Sequence, residues 1–229
     1  MTGLEVEILA KRFGRHQVLS EIRFAIPAGE RVALLGASGI GKSTLLALIS
    51  GADPDFEGRI VRPDGRIAMV FQTPRLLPWR TLTQNIALIP GAGGAARARE
   101  LLASVGLAEA ADQHPEKVSL GMQRRAALAR AIAVDPDLIL MDEPLVSLDP
   151  SSAADMRRLL TQTMDRTGAA ALIATHDRRE ALALADRILM LDGPPARLID
   201  DRRSPLDRED RRDAGAVEAL HSDWFGTHA

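Results

Sequence analysis

The sequence predicts an α/β fold: a mainly parallel sheet core preceded by an N-terminal antiparallel β segment and interrupted by an inserted helical segment. Three observations predict it. A glycine-rich stretch from Gly36 to Thr44 joins the apolar run Arg31-Val32-Ala33-Leu34-Leu35 to the apolar run Thr44-Leu45-Leu46-Ala47-Leu48-Ile49-Ser50, which reads as strand, loop, helix. Strand candidates Leu138–Met141, Ala170–Thr175 and Ile188–Leu191 recur with helices of about ten to seventeen residues between them, the rhythm of βαβ units. Leu4, Val6 and Ile8 alternate with Glu5 and Glu7, and Ile22, Phe24 and Ile26 alternate again before the Pro27-Ala28-Gly29 turn, which predicts an antiparallel pair. From about Leu82 to Val134 the pattern is helical and alanine-rich, broken by Gly91-Ala92-Gly93-Gly94 and His114-Pro115. The stretch from Asp200 is charge-rich and reads as a solvated surface helix or a partly disordered tail.

At 229 residues and 46% hydrophobic content, one domain spanning 1–229 is expected, with the helical subdomain at about 82–134 and the charged tail at about 200–229. A net charge of -2 with interspersed signs gives no basic footprint, so no nucleic-acid partner is expected. Cysteine is absent, which excludes disulfides and thiolate metal sites. The first ten residues carry Glu5 and Glu7 rather than a secretory leader pattern, and no run reaches the about 18 apolar residues of a membrane helix. A role at a membrane therefore needs a partner.

Gly36-Ala37-Ser38-Gly39-Ile40-Gly41-Lys42-Ser43-Thr44 has the Gly-x-x-x-x-Gly-Lys-Ser spacing with which a backbone wraps nucleotide phosphates. Glycines let successive N–H groups converge on anionic oxygens, and the following helix turns its positive end toward them. Lys42 is placed to reach the β- and γ-phosphates, and the Ser43 hydroxyl to ligate Mg²⁺. The plain alternative is a glycine-rich turn with a surface lysine. Leu138-Ile139-Leu140-Met141-Asp142-Glu143 ends an apolar strand in two carboxylates whose side chains point apart. Asp142 suits Mg²⁺ and Glu143 suits polarising an attacking water, whereas alone such a pair is more often a solvated strand end.

With these residues in hand, the chain resembles the ATP-binding subunits of ABC transporters over nearly its whole length, a P-loop NTPase of ABC ATPase type. Phe13 in Lys11-Arg12-Phe13-Gly14 matches the aromatic that stacks on adenine, Gln72 in Val70-Phe71-Gln72 matches the Q-loop glutamine, and Ser147-Leu148-Asp149 matches the D-loop. Val118-Ser119-Leu120-Gly121-Met122-Gln123 matches the signature segment, and Thr175-His176-Asp177 supplies the switch histidine. The resemblance implies ATP and Mg²⁺ as ligands, with Gln72 sensing metal and water, His176 stabilising developing charge, and Ser119 and Gly121 facing the phosphates held by a second copy of the chain. Each has a plain alternative: Phe13 as a core aromatic, Gln72 as a loop amide, His176 as a strand-end histidine, Ser119 as an ordinary helix cap. The sequence departs from the family at Leu120, where the first of two signature glycines is usual, and at Val146, a position often small or polar.

Thr73-Pro74-Arg75-Leu76-Leu77-Pro78-Trp79-Arg80 carries two prolines and three large apolar side chains on a loop. It reads either as packed back on the helical segment or as a groove for a short helix of a polytopic membrane permease, docking near Gln72–Arg80. The segment Phe-Gln-x-Pro-Arg-Leu-Leu-Pro-Trp-Arg is similar to the nitrate, sulfonate and taurine importer branch. That resemblance implies a cytoplasmic ATPase held peripherally on the inner membrane by its permease, and a periplasmic solute-binding protein in the full system. The competing expectations are an ATPase of a lipid-handling or export ABC system, and a soluble ABC ATPase without a permease.

Overall fold

The structure, a computed structural model, describes residues 3–226. The chain runs β1 (Leu4–Phe13), β2 (His16–Ile26), β3 (Arg31–Leu35), α1 (Lys42–Ser50), β4 (Glu57–Val61), β5 (Ile67–Val70), α2 (Leu82–Ala87), α3 (Gly94–Ser104) and α4 (Leu120–Ile132). It continues through β6 (Leu138–Asp142), α5 (Pro150–Thr167), β7 (Ala170–Thr175), α6 (Arg178–Leu184), β8 (Arg187–Asp192), β9 (Arg197–Arg203) and α7 (Ala214–Phe225). Two compact units emerge, one made of 3–64 with 170–226 and the other of Gly65–Ala169.

In the first unit the alternating N-terminal pattern forms the expected antiparallel pair: β1 and β2 run in register from Leu4↔Ile26 to Phe13↔His16, and β4 joins β1 on its other side. Leu4, Val6, Ile8 and Ala10 are buried while Glu5 and Leu9 face outward, as period-two burial requires. The second sheet of this unit takes β3 at its centre, parallel to β7 and β8, with β9 antiparallel as the outer strand. Every residue of β3 and β7 is buried, which explains why Val32–Leu35 and Ala170–Ala174 are continuous apolar runs instead of alternations. Leu35, Leu182, Ile188, Val217 and Leu220 close one core cluster from α6, α7, β3 and β8, and Trp224 and Phe225 pack against it. Each fully buried side chain of this size stabilises by about 1.5–3 kcal/mol.

In the second unit β5 and β6 are parallel, paired from Ile67↔Leu138 to Val70↔Met141. Helices α2, α4 and α5 start where the sequence supplies caps. The Thr81 hydroxyl and Gln84 side chain form a capping box on α2, Ser119 accepts from the Met122 N–H at the head of α4, and Asp149 accepts from Ser151 and Ser152 with Pro150 as the first residue of α5.

Two differences from the sequence reading have clear causes. Helix α6 has 7 residues, shorter than expected, because the Asp186 carboxylate takes the Arg31 N–H and the Arg208 and Arg211 guanidiniums and draws the chain into β8. Nor are the charges from Asp200 onward left to solvent alone. Asp201 pairs with Arg187 and Arg203 with Glu30 along β9, and α7 buries Val217 and Leu220.

Candidate active site

In the first unit the glycine-rich loop hangs from the centre of the sheet. Leu35 pairs with Thr175, and the next amide, Gly36 N–H, donates to the Thr175 carbonyl at 3.3 Å, so the loop and the turn carrying His176 leave the sheet side by side. Ala37, Ser38, Gly39 and Ser43 are exposed, Gly36, Ile40, Gly41 and Thr44 are partly buried, and Lys42 is buried. The Lys42 ammonium donates to the Gly36 and Ala37 carbonyls at 2.8 and 3.0 Å, so the loop is folded around its own lysine. Gly41 holds φ 116°, and a Cβ there would lie 2.7 Å from Leu19 Cδ2 and 3.1 Å from Val18 Cγ1. Any other residue is strained at this position, by that φ and by the β2 side chains that back onto the loop. The nine-residue α1 starts at Lys42 and turns its N-terminal amides toward the loop, an anion site by construction.

Two further side chains named from the sequence lie in this unit. Phe13 ends β1 and is 55% exposed, which removes the core-aromatic alternative. His176 is exposed on the turn between β7 and α6, held by buried Thr175, whose hydroxyl donates to Glu180 at 2.8 Å and accepts from the Asp177 N–H at 3.0 Å. Asp177 caps α6 through the Arg179 and Glu180 N–H groups. Thr175 is a residue whose role the sequence reading missed; a hydroxyl ending an all-apolar strand was the available signal.

In the second unit the parallel pairing of Val70 with Met141 brings Gln72 and the Asp142-Glu143 pair to the same end of adjacent strands. Gln72 is exposed, Asp142 is buried and Glu143 is half-buried. Glu143 adopts φ 46°, in the left-handed region that costs a non-glycine residue about 1 kcal/mol or more. Its carbonyl accepts from Val146 N–H at 3.3 Å, and the Val146 carbonyl in turn accepts from the buried Arg124. Asp149 is held well below the usual carboxylate range by hydrogen bonds from Ser151 and Ser152.

Also in the second unit, the exposed Ser119 caps α4 by accepting from the Met122 N–H, and Leu120 beside it is 46% exposed. A Cβ on Gly121 would come no closer than 3.9 Å to its nearest neighbour, so nothing inside the chain demands glycine there. The loop after Gln72 is clamped from two sides. Arg130 donates to the Pro74 and Arg75 carbonyls at 2.9 and 2.7 Å, and the buried Asn85 side chain bonds the backbone of Leu77, Arg80 and Thr81. Leu76 and Leu77 are half-buried, while Trp79 stands 69% exposed. Neither Asn85 nor Arg130 was singled out in the sequence, although an arginine within an alanine-rich helix is a signal of a specific partner.

Residues 19–146 match the family described as ABC transporter. The chain belongs to that family. Among its relatives, the aliphatic sulfonates import ATP-binding protein SsuB 2 of Paracoccus denitrificans (strain Pd 1222) is 42% identical over 98% of this chain and 92% of its own length. A protein of the same name from Frankia alni (strain DSM 45986 / CECT 9034 / ACN14a) is 44% identical over 90% of this chain and 86% of its own. Among solved structures, the ATP-binding cassette MJ0796, a dimer in a post-hydrolysis state bound to ADP and Pi, superposes with a TM-score of 0.76 at 27% identity, covering 90% of this chain and all of that one. The P-loop α/β fold and the ABC ATPase class read from the sequence therefore hold, and this ABC ATPase binds and hydrolyses ATP. No helix of the described residues is long and apolar enough to cross a membrane.

Proposed function

We propose that the chain is the ATPase subunit that drives import of an aliphatic sulfonate through a separate membrane permease. One observation carries this reading: the 42% identity to a sulfonate import ATP-binding protein spans 98% of the chain. The loop Phe71–Arg80, with Trp79 exposed on a clamped backbone, supports it as the docking surface for that permease. A second copy of the chain closes over bound nucleotide, a periplasmic solute-binding protein delivers the substrate, and the subunit works at the cytoplasmic face of the inner membrane.

The residue roles follow from their chemistry. The amides of Gly36–Thr44 and the Lys42 ammonium hold the triphosphate, and the Phe13 ring receives the adenine. Mg²⁺ suits the oxygen donors Ser43, Asp142 and Gln72, a hydroxyl, a carboxylate and an amide, and when bound it neutralises charge on the phosphates. Glu143 takes the proton of the water that attacks the γ-phosphorus, ADP leaves, and the His176 imidazole donates to the oxygen that gains charge. Ser119 and Gly121 at the head of α4 meet the phosphates bound by the other copy, where Gly121 leaves the backbone bare for close approach.

Uptake of radiolabelled alkanesulfonate tests the assignment. Cells lacking the gene should lose uptake and regain it with the wild-type chain but not with the Glu143→Gln form. Unchanged sulfonate uptake in the deletion strain would overturn the substrate class.

A further inference from the structure

Lys11 is only 2% exposed, a burial that lysine tolerates only when its charge is met. Its ammonium lies 2.8 Å from the Asp53 carboxylate and 3.3 Å from that of Asp55, and donates to the Asp55 carbonyl at 2.6 Å. The same ammonium sits 4.6 Å from the centroid of the Phe13 ring. Lys11 and Phe13 lie two residues apart at the end of β1, where the pairing with β2 shifts register between Lys11 and Arg12, and this irregular end brings the cation to the ring. The anchoring acids belong to the loop that leaves α1, where Asp53 N–H donates to the Ala47 carbonyl at 3.2 Å. Lys11 is also in register with Leu19, the residue that backs Gly41 of the phosphate loop. One side chain thus links the phosphate-binding helix, the strand behind its loop and the exposed aromatic.

We propose that Lys11 is a positioning residue for base binding: anchored by Asp53 and Asp55, its ammonium occupies one face of Phe13 and presents the other to the nucleotide. This rests on the reading of Phe13 as the adenine platform. A phenyl ring at the end of a strand, more than half exposed, would otherwise sample several orientations, and the cation fixes one of them. The hydrogen bond to Asp53 raises Lys11 above its ordinary value, so the charge persists throughout the working pH range. The ring needs no hydrogen bond to the base, and its grip acts on the base alone, not on the phosphates.

Calorimetric binding of Mg-ATP and of Mg-tripolyphosphate, which has phosphates but no base, separates positioning from bracing. Lys11→Met should weaken ATP binding about 3- to 30-fold, leave tripolyphosphate binding within about two-fold of wild type, and regain ATP affinity as Lys11→Arg. In a Phe13→Ala background the Lys11→Met effect should vanish, since the cation then has no ring to orient. Equal losses for both ligands would make Lys11 a brace and overturn the inference. So would unchanged ATP affinity in Lys11→Met while Phe13→Ala weakens ATP selectively, a result that leaves the platform reading intact. If Phe13→Ala weakens ATP no more than tripolyphosphate, the platform reading itself fails and takes the inference with it. Should Lys11→Met not fold, Asp53→Asn loosens the ammonium without removing it, and the same selective or equal losses decide.

Discussion

Glu143 is the residue on which turnover depends in the proposed mechanism, and its backbone already departs from the ordinary. A φ of 46° comes directly after the end of β6, with Asp142 buried as the last strand residue and Glu143 half-buried beyond it. Replacing Glu143 by Gln keeps size and polarity and removes only the ability to accept a proton. Turnover should fall by about 10²- to 10⁴-fold while Mg-ATP affinity is retained, and the variant should elute as a dimer from a sizing column run in Mg-ATP. Steady-state hydrolysis and column elution check both halves; wild-type turnover would exclude this residue as the base. Lys42 illustrates the opposite economy of design, since its ammonium is satisfied by carbonyls of its own loop and keeps that loop in shape.

The segment between β5 and α2 has two prolines and no regular structure, yet its backbone is tied down by side chains of α2 and α4. Asn85 is nearly fully buried and spends its oxygen on Leu77 N–H at 2.7 Å and its amide on the carbonyls of Leu77, Arg80 and Thr81. Asn85→Leu strands those backbone groups and should destabilise the fold by about 2 kcal/mol, lowering the thermal midpoint by several degrees. Hydrogen exchange should accelerate at 73–81 while nucleotide affinity stays within about two-fold of wild type. Unaltered exchange there would mean that Arg130, not Asn85, sets the loop. The legibility of these elements in sequence follows their locality. The phosphate loop, the strand-end acids and the Ser119 cap were readable because a few consecutive residues fix both conformation and chemistry. Arg130 was not, because its partner carbonyls lie 55 and 56 positions away, and Asn85 was not, because its partners, though near in sequence, sit on an irregular loop whose path no local pattern fixes.

For the chain taken whole, the strands that escaped the sequence reading are those whose pairing is long-range or whose residues are poor strand formers. β4 contains Gly58 and Arg59, β5 has four residues, and β9 is mostly Arg and Asp. The strand identity of β4 and β5 comes from neighbours distant in sequence, as with Glu5↔Val61 and Ile67↔Leu138, whereas β9 returns on β8 in a hairpin and is hidden by its charged composition. Asp186 does similar long-range work, joining the start of β3 to the C-terminal stretch. Burial pushes its carboxyl up, but hydrogen bonds from Arg208, Arg211 and the Arg31 N–H outweigh that and hold it well below the usual carboxylate range. A carboxylate depressed in the folded state contributes stability that is complete above its unfolded value, near 4, and is lost as pH falls toward the folded value. Urea midpoints should therefore drop between about pH 6 and pH 3 more steeply for wild type than for Asp186→Asn. Parallel curves for the two proteins would show that the network carries no such linkage.

The outer strand β9 lines the rim of its sheet with Arg197, Asp200, Asp201, Arg202 and Arg203. Such a fringe of alternating charge opposes main-chain zippering between neighbouring molecules in a crowded cell. The proposed closing of two copies over nucleotide must therefore use other faces of the molecule.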